Sequence, residues 1–86
     1  MSFKEQLVRV RQIKVKYEAH LLQKANVVGV GVGLWMPEGS PTPDPAIIVN
    51  VTHKVPLLKL APEDRLPSRL EDVPVQVQAV GKLKVQ

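Results

Sequence analysis

Eighty-six residues with 44% apolar side chains and a net charge of +4 make one small folding domain, too short for a two-lobed enzyme. The absence of cysteine excludes disulfides and thiolate chemistry, and no apolar run approaches the ~20 residues of a membrane span. Phe3, Tyr17 and Trp35 are the only aromatic residues, so the core must come from Val, Leu and Ile, a mixture that suits strands.

Residues 3–24 contain no Gly or Pro and are rich in good helix formers, so they read as one amphipathic helix. Ser2 suits its N-cap, with Gln6 one residue beyond the capping-box spacing. Phe3, Leu7, Val10, Tyr17 and Leu21 form an apolar stripe with Ile13 at its margin, and the Lys14 stem packs within it. Val8, Val15 and Leu22, seven residues apart, form a second and narrower stripe on the opposite side. A helix laid on a sheet needs only the first stripe, so the second calls for a partner. Residues 1–25 hold six Lys and Arg against Glu5 and Glu18, which accounts for the whole net charge. Charged side chains start at Lys4 and no apolar signal region precedes them, so a cytoplasmic location without a membrane partner is expected.

Residues 26–35 read as a strand with Val28, Val30, Val32 and Leu34 on one face and Gly29, Gly31 and Gly33 on the other. Three glycines on one face suggest close approach to that backbone. Residues 36–45 hold four prolines and read as an extended, solvated loop. Residues 46–53 form the next strand, paired antiparallel with the first. Residues 54–72 are a connection with one short helical turn at Pro62-Glu63-Asp64-Arg65. Residues 73–85 alternate Val75, Val77, Ala79, Gly81, Leu83 and Val85 against Gln76, Gln78, Lys82 and Lys84, which makes a strand with one dry face. The expected fold is a single α+β domain: an N-terminal helix on a small, mainly antiparallel three-stranded sheet in the order α-β-β-β.

The blocks Asn26-Val27-Val28-Gly29-Val30-Gly31-Val32-Gly33, Ala46-Ile47-Ile48-Val49-Asn50-Val51, His53-Lys54-Val55-Pro56, Leu60-Ala61-Pro62-Glu63-Asp64-Arg65-Leu66-Pro67 and Val73-Pro74-Val75-Gln76-Val77 occur in this order. Together they resemble the short α+β segment that precedes the catalytic domain in certain bacterial trypsin-like serine peptidases. The resemblance covers residues 26–80 and implies a peptidase-associated accessory module, here free-standing. It carries over no triad residue, because no position matches one.

No constellation of catalytic residues stands out, and no enzyme activity, metal or cofactor is expected. The G-x-G-x-G spacing of Gly29, Gly31 and Gly33 lies inside a strand and precedes a Pro-rich loop, whereas phosphate sites place such glycines directly before a helix. His20 and His53 read as surface residues, and so do Ser40 and Ser68. Glu63-Asp64 and Glu71-Asp72, near Arg65 and Arg69, read as surface ion pairs. Two surfaces remain. Val8, Arg11, Val15 and Leu22 are the expected interface of a non-catalytic module that forms a homo-oligomer or binds another protein. Arg9, Arg11, Lys14 and Lys16 are the alternative, a basic nucleic-acid-binding patch. A third reading, tied to the resemblance, makes residues 82–86 the inserting tail of a prosegment-like peptidase inhibitor.

Overall fold

The structure, a computed structural model, describes residues 2–80 of the chain. Helix α1 (Phe3–Leu22) is followed by strands β1 (Val27–Leu34), β2 (Pro45–Val51), β3 (Arg69–Leu70) and β4 (Val73–Ala79), with 3₁₀ turns at Pro37–Gly39, Leu57–Lys59 and Pro62–Asp64. Ser2 opens the helix: its Oγ accepts from the Glu5 N–H at 3.2 Å and donates to Glu5 Oε1 at 3.0 Å. The capping-box position is therefore filled by Glu5, three residues after the cap, and not missed by Gln6.

The α+β class holds, and the sheet differs from expectation. It has four strands in the order β1-β2-β4-β3 and is mixed. β1 runs antiparallel to β2, and β3 to β4, but β2 and β4 are parallel. A parallel neighbour needs a crossover of a dozen or more residues, and residues 52–72 supply one long enough. β3 has two residues, too few to show any alternation. Within the expected strand 73–85, β4 accounts for Val73–Ala79; residues 81–86 lie outside the described part. β2 starts at Pro45, a position where a missing N–H costs no internal ladder bond.

The core lies between α1 and one face of the sheet. Val10, Ile13 and Leu21 of the helix are buried against Ile47, Val49 and Val51 of β2, with Leu70, Val73 and Val75 completing the cluster. Ile13 is central to the buried stripe and Phe3 is half-exposed, so the apolar face is rolled slightly from the expected one. Val30 stands opposite Val49 and Val32 opposite Ile47, while Gly29 and Gly31 stand opposite Asn50 and Ile48 on the open face. A register shift between Val27 and Gly29 brings Val27 into the core and leaves Val28 exposed, which removes Val28 from the expected Val30/Val32/Leu34 face.

The Pro-rich loop is more ordered than an extended linker. Trp35 N–H donates to Asp44 O at 2.7 Å, Thr42 N–H donates to Trp35 O at 2.9 Å, and Met36 N–H donates to Gln76 Oε1 at 3.3 Å. Glu38 and Gly39 take left-handed φ values of 54° and 82° to turn it.

The glycines of β1 are not equivalent. A Cβ on Gly33 would sit 2.9 Å from Ile48 Cγ1, one on Gly29 would make ordinary contact with Asn50, and one on Gly31 would meet nothing within 4 Å. Gly31→Ala should therefore stabilise the monomeric fold by about 0.5–1 kcal/mol, the ordinary gain for replacing a strand glycine. Gly33→Ala should destabilise it, because the β-branched Ile48 has little χ1 freedom to retreat. Urea denaturation of the two variants checks the opposite signs, and equal shifts would show that Ile48 does not discriminate between them.

Candidate functional site

The helix is fixed to the far side of the sheet by the two-residue turn between β3 and β4. Glu71 holds φ 55°, a conformation few non-glycine residues adopt, and the turn points its carboxylate and that of Asp72 at α1. Arg9 donates to Asp72 Oδ1 from Nε at 3.2 Å and from Nη2 at 3.0 Å, and to Glu71 Oε1 at 3.3 Å. Lys16 Nζ donates to Glu71 Oε2 at 2.9 Å, and the Tyr17 hydroxyl reaches the same oxygen at 3.3 Å. Lys16 Nζ also lies 5.4 Å from the centre of the Tyr17 ring. Each exposed pair contributes little alone. Arg9 and Lys16 lie two helical turns apart, so the pairs together tether one flank of α1 to this turn.

These contacts shift four groups. The Lys16 hydrogen bond holds Glu71 below the usual carboxylate range, and the Arg9 hydrogen bond does the same for Asp72. In return, the Asp72 bond raises the Arg9 guanidinium and the Glu71 bond raises the Lys16 amine.

Of the expected basic patch, Arg9 and Lys16 belong to this clamp, and Lys14 Nζ pairs with Glu18 Oε2 at 3.1 Å. Among the described residues, Arg11 has no ion-pair partner. The structure thus brings Arg9 and Lys16 together with acidic groups, not into a shared cationic face. Sequence spacing paired Glu71 and Asp72 with nearby Arg65 and Arg69; the turn instead aims them at the helix. A two-residue turn lacking Gly or Asn carries no hairpin signal, which is why this one was invisible in the sequence.

The other acidic pair also has structural work. Asp64 Oδ1 accepts the Ala25 N–H at 3.0 Å and Glu63 O accepts Lys24 Nζ at 2.6 Å, which ties the end of α1 to the crossover. His20 and His53 are exposed, and His53 Nδ1 lies 3.0 Å from the neighbouring Thr52 hydroxyl. No group of three or more His, Cys, Asp and Glu converges as a metal site among the described residues, and no described helix is long and apolar enough to cross a membrane.

The second stripe of α1 stays open. Val8 is 48% exposed, Val15 74% and Leu22 44%. Glu18, the partner of Lys14, also belongs to this surface: Val8, Arg11, Val15, Glu18 and Leu22 alternate by three and four and share roughly 80° of the helix surface. The spacing was readable from the chain, since 18 completes the 8-11-15-22 series.

The family model of the NARROW LEAF 1 N-terminal domain matches residues 3–80, from the first turn of α1 to the end of the described sheet. The chain belongs to this family. The match corrects the resemblance to the segment preceding bacterial serine peptidase domains. All the blocks that carried it lie within the matched span, and nothing here supports a tie to peptidases. A family named for a leaf trait also conflicts with the bacterial setting that came with that resemblance. No curated protein matches the chain. The tail read as an inhibitor, residues 82–86, lies outside the described residues and beyond the matched span.

The clamp predicts an acid-sensitive fold. Glu71 and Asp72 have folded pKa values below their unfolded ones, so their stabilisation is present above the unfolded range and is lost as pH falls through the folded values. The Arg9 and Lys16 shifts run upward, so their share is lost only at strongly alkaline pH. The wild type should be more stable than Glu71→Gln/Asp72→Asn at neutral pH, and the gap should close as pH falls below roughly 4. Denaturant titrations across that range check this; a gap that ignores pH would show that the clamp is not electrostatic.

Proposed function

We propose that this domain is a non-catalytic protein-interaction module that self-associates through the exposed stripe of α1. The observation that carries this reading is the surface of Val8, Val15 and Leu22, apolar and open along the length of a helix whose other stripe already supplies the core. Core packing does not require that stripe, and three aligned apolar residues on a surface helix are a standing liability unless something covers them. Arg11 and Glu18 lie between them, so the surface carries both signs of charge as well as apolar area.

Nucleic-acid binding through the same helix receives less support. Arg9 and Lys16 face Glu71 and Asp72, and Lys14 faces Glu18, so three of the four cations of that patch are already paired within the fold.

Leu22→Lys should leave the fold intact, since the side chain is largely outside the core, and should convert the assembled species into a monomer. Light scattering after size exclusion, with circular dichroism on the same sample, reads both quantities. An unfolded Leu22→Lys protein would mean that the stripe is part of the core. An unchanged mass for a folded variant would mean that association uses another surface.

A further inference from the structure

The flank of α1 that carries Arg11, Glu18 and Leu22 adjoins a second unsatisfied feature, the free edge of β1. The clamp pulls the Arg9/Lys16 side of α1 toward β3 and β4, so the opposite flank, with Arg11, Glu18 and Leu22, turns to the β1 side. The helix itself lies over β1 and β2. Edge strands are normally blunted by short length, charge, proline or a central bulge. β3, at one edge, is two residues long. β1, at the other, has eight residues without a charge or a proline, and its only register shift lies at its start.

The hydrogen-bond phase shows which groups that edge offers. Trp35 N–H donates to Asp44 O just beyond the Leu34–Pro45 pair, so the alternation of an antiparallel ladder directs Gly33, Gly31 and Gly29 toward β2. The backbone N–H and C=O groups of Val30 and Val32 therefore point outward from the sheet.

We infer that two copies of this chain join β1 to β1 in an antiparallel pair about a dyad at Gly31, making one continuous eight-stranded sheet with the two α1 helices packed side by side on it. This rests on the reading of the α1 stripe as a self-association surface and deepens it. A dyad at Gly31 places Val30 opposite Val32 of the second copy, both with outward-pointing groups. Gly31 becomes the close, non-hydrogen-bonded pair at the centre, a use for the one β1 glycine that nothing within the monomer crowds.

The dimensions agree. With strands ~4.8 Å apart, a helix over the β1/β2 seam lies about 5 Å from the dyad, so two helices are about 10 Å apart, the ordinary packing distance. Gly31 lies about 14 Å along β1 from Val27, and an equal distance back along α1 from Leu22 ends near Ile13, beside the middle of the stripe. An antiparallel pair centred between Lys14 and Val15, about 2 Å along the helix from that point, puts Arg11 of each copy beside Glu18 of the other, so this flank is complementary to itself in charge.

Amide hydrogen exchange by NMR on the full chain, from dilute to concentrated solution, tests the inference, with light scattering to assign each state. In the dimer the Val30 and Val32 amides should exchange at least ~10-fold more slowly than in the monomer. A dimer in which they exchange at the monomer rate would overturn strand pairing and leave the helix-face reading standing. A monomer at every concentration would overturn both. Arg11→Glu should weaken the dimer and Arg11→Glu/Glu18→Arg should restore it; failure of the double variant to restore a folded dimer would overturn the antiparallel placement.

Discussion

The buried row Val10, Ile13 and Leu21 holds α1 on β2 and sets which face of the helix turns inward. The Arg9, Lys16 and Tyr17 contacts to Glu71 and Asp72 tether one flank of the helix in that same roll. One carboxylate, Glu71, receives three donors from two turns of the helix, and it does so from a backbone conformation that would be costly without compensation. Every outward surface of α1 follows from that roll, including the flank with Val8, Val15 and Leu22.

The clamp also changes what the charge of the chain means. The whole net charge of +4 resides in residues 1–25, which by composition alone looks like an anion-binding segment. In the folded domain the acidic turn comes from a point more than fifty residues away in the chain and neutralises two of those cations in place. Composition records the excess but not its pairing, since pairing depends on a crossover that no local pattern describes.

Local periodicity shows how much of the fold could be read in advance. The 3.6-residue period of α1 and the valine-glycine alternation of β1 mark their elements within two residues, and the valine-glutamine alternation marks where β4 begins but not that it stops at Ala79. What local pattern cannot carry is the partner of each strand. β4 lies parallel to β2 because the crossover returns the chain to the same end of the sheet, and its antiparallel neighbour β3 is only Arg69 and Leu70. The displacement of Val28 has the same origin, since a bulge is a property of two paired strands and not of one. At the candidate surface, Val8, Arg11, Val15 and Leu22 were legible by spacing. Glu18 shares that spacing, but a carboxylate adds nothing to an apolar pattern.

A domain of this size buries only about 60% of the surface its unfolded chain exposes, so it cannot waste apolar side chains or order. Gly33 makes room for Ile48, and Gly29 lies against Asn50, so both glycines contribute to the monomer. Gly31 and the stripe of α1 do not: one gives up strand stability with nothing crowding it, and the other leaves large apolar groups in water. Leu22, at the margin of that stripe, lies on the flank of α1 nearest the strand edge that contains Gly31, so the two features without a purpose in the monomer adjoin one another. A single surface that accounts for both requires fewer assumptions than separate explanations for each, and a two-fold partner supplies it with groups the chain already has.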